Sequence, residues 1–96
     1  MEVRSLPVRG QKWRHFLGRV YTIQYIARYK EIYRGVDTER LMVVYSDEDY
    51  VEGSRGVNEG LWVTPLKTFM ARINRIFYPN AIGVYNFELE RDIQTE

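Results

Sequence analysis

Arg19–Tyr29 reads R-V-Y-T-I-Q-Y-I-A-R-Y, and two periods compete in it. Tyr21, Tyr25, Tyr29 and Tyr33 recur every four residues, as on one side of a helix, but the same tyrosines also fall on one face of a strand. Residue type separates the two readings. Val, Tyr, Thr and Ile suit a pleated surface, and Tyr21, Ile23, Tyr25 and Ala27 alternate with mostly polar neighbours, so the segment is expected to be a strand. That choice makes the chain mainly β.

On the N-terminal side, Lys12–Phe16 (K-W-R-H-F) forms a short strand with Trp13 and His15 on one face and Arg14 and Phe16 on the other. Leu17-Gly18 supplies a tight turn, so a hairpin results. On the C-terminal side, Lys30–Thr38 is charged, contains Gly35, and reads as a loop or long hairpin arm. Glu39–Ser46 (E-R-L-M-V-V-Y-S) is a third strand with apolar residues on both faces, which points to an interior place in the sheet.

Asp47–Gly60 holds five acids and three glycines and is expected to be a mobile surface loop. Gly60–Phe69 (G-L-W-V-T-P-L-K-T-F) brings the chain back into the sheet and plants Trp62. Thr64-Pro65 then signals a short helix, with threonine as cap and proline at the first helical position. Arg72–Tyr78 fits a helix or a strand equally well. Pro79–Gly83 is a turn, and Val84–Leu89 alternates as a closing strand. About five strands and one helical turn after Pro65 are therefore expected.

The chain has 96 residues, 45% of them hydrophobic, 15% aromatic and 28% charged, enough apolar material for one small domain and too little charge bias for disorder. Residues 1–10 read as a flexible lead-in, 11–90 as the domain and 91–96 as a tail. Without cysteine there are no disulfides or thiolate metal sites, and no stretch resembles a signal peptide or a membrane span, so a cytoplasmic setting without membrane contact is expected. The net charge is +1 but unevenly spread. Residues 1–34 carry eight basic and two acidic side chains, 35–59 two basic and seven acidic, and 60–96 four of each. Pairing of the opposite blocks across the sheet is the simplest outcome.

W-R-H-F-L-G-R-V-Y at Trp13–Tyr21, L-M-V-V-Y at Leu41–Tyr45, L-W-V-T-P-L-K-T-F at Leu61–Phe69 and V-Y-N-F-E at Val84–Glu88 together carry a family resemblance. In order and approximate spacing they resemble the bacterial Domain of Unknown Function sixteen-fifty-three family. Trp13 stands where that family has tyrosine, Leu17 where it has lysine, Thr64 where it has arginine and Tyr85 where it has proline, and the loops at Lys30–Thr38 and Asp47–Gly60 are longer. The resemblance implies a small SH3-like barrel and no particular activity.

Site chemistry is sparse. His15 is the only histidine, which removes the usual zinc sets, and Asp47, Asp49 and Glu52 lack the spacing of a calcium loop, so no metal and no cofactor is expected. Ser5, Ser46 and Ser54 carry no nucleophile motif, and Gly53, Gly56 and Gly60 no phosphate loop, so no catalytic residue is assigned. The leading expectation is a non-catalytic module whose aromatic groove of Trp13, Tyr45 and Trp62, with Arg14 and His15 as polar contacts, binds a protein or peptide of unknown identity. Single-stranded nucleic acid on the basic aromatic strands, through Arg14, Arg19 and Arg28, is the first alternative. A small enzyme using His15 is the second. Exposed strand edges also leave a homodimer open.

Overall fold

A computed structural model describes residues 4–48, 50 and 60–90. Five strands form one antiparallel sheet: β1 (Lys12–His15), β2 (Val20–Tyr33), β3 (Val36–Ser46), β4 (Leu61–Pro65) and β5 (Phe87–Leu89), with the one-turn helix α1 (Leu66–Phe69) between β4 and β5. Their spatial order is β4-β3-β2-β1-β5, which leaves β4 and β5 at the two edges. The all-β class and strand number match expectation, and no ladder closing the two edges into a barrel is seen among the described residues.

Cross-strand partners share a face, so the registers divide the side chains. The inner face carries Trp13 opposite Tyr21 and Leu89, His15 opposite Phe87, Tyr45 between Ile23 and Trp62, and Val43 opposite Thr64. On this face Trp13, Ile23, Val43, Tyr45, Phe69 and Phe87 form the buried core. α1 contributes Phe69, whose ring stacks on Phe87 at 4.0 Å and meets Trp13 edge-on at 5.4 Å. Offset and edge-to-face packing of this kind adds about 0.5–1.5 kcal/mol per pair to the burial itself.

β2 departs from strict alternation. Its register against β3 shifts between Ile23 and Tyr25, so Gln24 is an extra residue, a β-bulge. Tyr21 stays on the inner face, whereas Tyr25, Tyr29 and Tyr33 move to the outer one. The expected common face for Tyr21, Ile23, Tyr25 and Ala27 is thereby corrected. Gln24 Nε2 donates to Ser46 Oγ at 2.8 Å across the bulge, which satisfies a buried hydroxyl.

Lys30–Thr38 is the hairpin arm of the two alternatives, since β2 and β3 pair without interruption from Tyr25–Val44 out to Tyr33–Val36. Arg34 (φ 53°) and Gly35 (φ 78°) close it with two successive left-handed residues, the backbone that matches strand twist in a two-residue turn. β1 reaches only to Thr22 and β4 only to Met42, so beyond them no other described strand pairs with the ribbon. The Cα radius of gyration of 15.3 Å exceeds the roughly 12–13 Å of a compact chain of this length.

The helix begins one residue later than expected. Thr64 does not cap it: the residue remains paired with Val43 in β4, and its hydroxyl lies 2.8 Å from the Tyr45 hydroxyl instead. Pro65 occupies the cap position with no side-chain capping bond, and Met70 N closes the single turn on Leu66 O at 2.9 Å. Arg72–Tyr78 is neither helix nor strand beyond an isolated bridge from Arg72 to Tyr85, and the closing strand shortens to Phe87–Leu89.

The segment before β1 is tied to the far end of the chain. Arg4 donates to Met70 O at 2.7 Å and Phe87 O at 2.5 Å, and its guanidinium lies 3.6 Å from the Tyr85 ring centre. The opposite charge blocks do meet, through Lys30–Asp37 and Arg19–Asp47, both at 3.4 Å. Most of the expected Asp47–Gly60 loop lies outside the described residues, but its base is pinched: Asp47 N donates to Gly60 O at 2.8 Å. Gly60 has φ 87°, and a Cβ there would stand 2.5 Å from Asp47 Oδ1, so the pinch requires glycine.

Candidate functional site

The inner face is only partly covered by α1, and the uncovered end is a cleft of about 370 Å³. β1 and the turn after it supply His15 and Phe16, while Tyr21 and Tyr45 come from the middle of the sheet. Trp62 and Thr64 come from the edge strand, Thr68 from α1, and Tyr78, Asn86 and Phe87 from the closing segment. The rings brace one another edge to face: His15 against Phe87 at 4.8 Å, Phe16 against Tyr78 at 4.9 Å and Tyr21 against Tyr45 at 5.0 Å. Among the described residues no lysine or arginine lines it, and the polar groups they supply are neutral donors and acceptors.

His15 is held in one tautomeric state. Its Nδ1 accepts the backbone N–H of Leu17 at 3.1 Å, which leaves the proton on Nε2, for which no described residue offers a hydrogen bond. Burial pushes the imidazole below its ordinary value of 6.5. The ring is therefore neutral at pH 7 and offers a donor to the cleft. Tyr45 is pushed upward, first by burial, with the Thr64 hydrogen bond opposing and Tyr21 adding to the rise. Its hydroxyl stays protonated and shared with Thr64.

Three of the five expected groove residues meet here. His15, Tyr45 and Trp62 line the cleft, and Trp62 is 51% exposed at its rim, with Nε1 3.4 Å from Asp47 Oδ2. Trp13 does not line it. The ring is 2% exposed beneath α1, and its Nε1 donates to Gln11 Oε1 at 3.1 Å. Arg14 lies on the outer face, where it makes two 2.9 Å bonds to Glu90, an ion pair that raises the arginine and lowers the carboxylate.

The three arginines expected for nucleic acid do not share a surface either. Arg14 is on the outer face, Arg19 pairs with Asp47 beside the first turn, and Arg28 lies opposite Leu41 on the inner-face side of the arm. Ser46 is on the outer face with the sheet between it and His15, so it cannot serve as a nucleophile for that ring. No cluster of three metal-ligating side chains occurs among the described residues; Asp49, Glu52 and Ser54 lie outside them.

Phe16, Tyr21, Thr64, Thr68, Tyr78, Asn86 and Phe87 also line the cleft without having been expected in it. Alternation places Phe16 on the opposite face, but strand pairing stops at His15, and Phe16 N turns to Asn86 O at 2.9 Å. Asn86 Nδ2 in turn donates to Thr68 O, fixing the closing segment against α1. A second, more open depression of about 590 Å³ lies along the free edge of β3 and is floored by Leu41, Pro65, Leu66 and Met70. It offers fewer directed polar groups than the aromatic cleft.

Comparison with protein-family models, with curated proteins and with solved structures finds no match for this chain. No helix among the described residues is long and apolar enough to cross a membrane.

Proposed function

We propose that the protein is a non-catalytic binding module which takes an apolar or aromatic side chain of a protein or peptide into the cleft beside Trp62. The observation that carries this reading is Trp62 itself, a tryptophan half-exposed at the mouth of a cavity whose floor is already built of packed rings. Large aromatic side chains with a polar tip are the residues that most often anchor protein interfaces.

The position of Trp62 adds a second element of support. β4 is an edge strand, so an extended peptide can pair with its free backbone edge while alternate side chains drop towards the cleft. Neutral His15 then provides an N–H for a carbonyl or hydroxyl of the bound segment. The resemblance to the Domain of Unknown Function sixteen-fifty-three family, the SH3-like barrel it implies, and a bacterial cytoplasmic setting belong to the same proposal.

Peptides selected from a random displayed library against the full chain provide the test. Trp62→Ala, with an unchanged circular dichroism spectrum, is expected to weaken the selected peptides at least tenfold. Undiminished affinity in that variant would remove the cleft from consideration.

A further inference from the structure

We propose that the outer face of the β2–β3 arm binds single-stranded nucleic acid, at a site separate from the cleft. After the bulge at Gln24, Tyr25, Tyr29 and Tyr33 share that face at intervals of four residues, so their rings follow one another about 13 Å apart. They are 55%, 47% and 62% exposed, unlike Tyr21 and Tyr45, which are packed against one another.

Each tyrosine has an arginine beside it. The Arg9 guanidinium lies 4.9 Å from the Tyr25 ring centre and that of Arg34 5.5 Å from the Tyr33 ring centre, and Arg40 is the cross-strand partner of Tyr29. Glu31, opposite Thr38, is the one acid among them, because alternation sends Asp37 and Glu39 to the other face, where Lys30 pairs with Asp37. The result is a row of rings with cations alongside. Bases stack on such rings without sequence preference, and phosphates seek the guanidinium groups.

Charge also decides between occupants. A second copy placed face to face across a two-fold axis would set Arg9, Arg34 and Arg40 against the same three arginines, with a single glutamate from each copy to offset them. A phosphate backbone supplies the missing negative charge.

Fluorescein-labelled oligothymidylate and oligouridylate of about fifteen nucleotides, titrated with the full chain and followed by anisotropy, test this; the pair distinguishes DNA from RNA. Binding is expected at 50 mM salt, with log K falling against log[salt] at a slope of about −2 for three phosphate contacts. The double variant Tyr29→Ala/Tyr33→Ala should weaken binding at least tenfold, and Tyr29→Phe/Tyr33→Phe should retain it. Arg34→Gln/Arg40→Gln should flatten the slope by more than one. Trp62→Ala should leave all of this unchanged, so failure here is distinct from failure of the cleft. No binding at 50 mM salt overturns the proposal, as do alanine variants that bind as tightly as the parent. Light scattering that shows a dimer dissociated by the alanine pair, without nucleic-acid binding, assigns the face to a second copy and overturns it as well.

Discussion

His15 is neutral for two reasons that act together: partial burial disfavours its charged form, and Nδ1 is occupied as an acceptor by Leu17 N–H. Protonation at Nδ1 breaks that hydrogen bond. Because the folded-state value lies below the unfolded one, the unfolded chain takes up its proton first as pH falls, and stability declines from about pH 6.5 downward. The urea midpoint is accordingly expected to fall between pH 7.5 and 5.5, and His15→Gln should remove most of that dependence. An equally steep fall in the variant would assign the effect to other groups. The two tryptophans show what residue type alone cannot settle. Both sit in short strands, yet Trp13 lies under α1 and Trp62 on an edge strand. Only the order of strands and the placement of one helical turn distinguish them.

Among the elements, the hairpin arm was legible as a possibility and the bulge was not. Val, Ile and Tyr marked β2 as a strand, but its outer half is charged and runs into a turn at Gly35, so its length was ambiguous until the pairing was known. Gln24 carries no mark of a bulge in its type, and a single extra residue moved three tyrosines to the other face. The cap at Thr64 failed for a related reason, because a cross-strand partner claimed the hydroxyl first. The arm itself rests on its turn. Gly35→Val places a β-branched side chain at φ 78°, a strain of about 1–2 kcal/mol. Since no other described strand pairs with β2 beyond Thr22 or with β3 before Met42, the effect belongs there: amides from Ala27 to Leu41 should exchange faster, with those of Ile23 and Val43 still protected. Uniform acceleration would mean that arm and core open together.

In the whole molecule, one side chain joins the helix to buried rings of β1, β3 and β5. Phe69 is fully buried, stacks on Phe87, and meets the rings of Trp13 and Tyr45. Phe69→Ala should therefore destabilise the domain by about 3–5 kcal/mol, seen as a lowered urea midpoint, and a loss below 1 kcal/mol would mean that α1 is dispensable to the core. The mainly β class, the strand count and the single turn after Pro65 all followed from local patterns. The cleft did not, because its lining comes from segments as far apart as His15 and Phe87, brought together by a sheet order in which β1 lies between β2 and β5.

That same order has a temporal side. The two carbonyl acceptors of Arg4 belong to Met70 and Phe87, and the outer partner of β1 is β5, the last of the described strands. During synthesis the hairpins from β1 to β4 can form as they emerge. The N-terminal clamp cannot close, nor can the edge of β1 be covered, until residue 87 has left the ribosome. The segment from Arg4 to β1 thus waits for its partners longer than β2 and β3 do, and a chain halted anywhere before β5 leaves the outer backbone edge of β1 without that ladder.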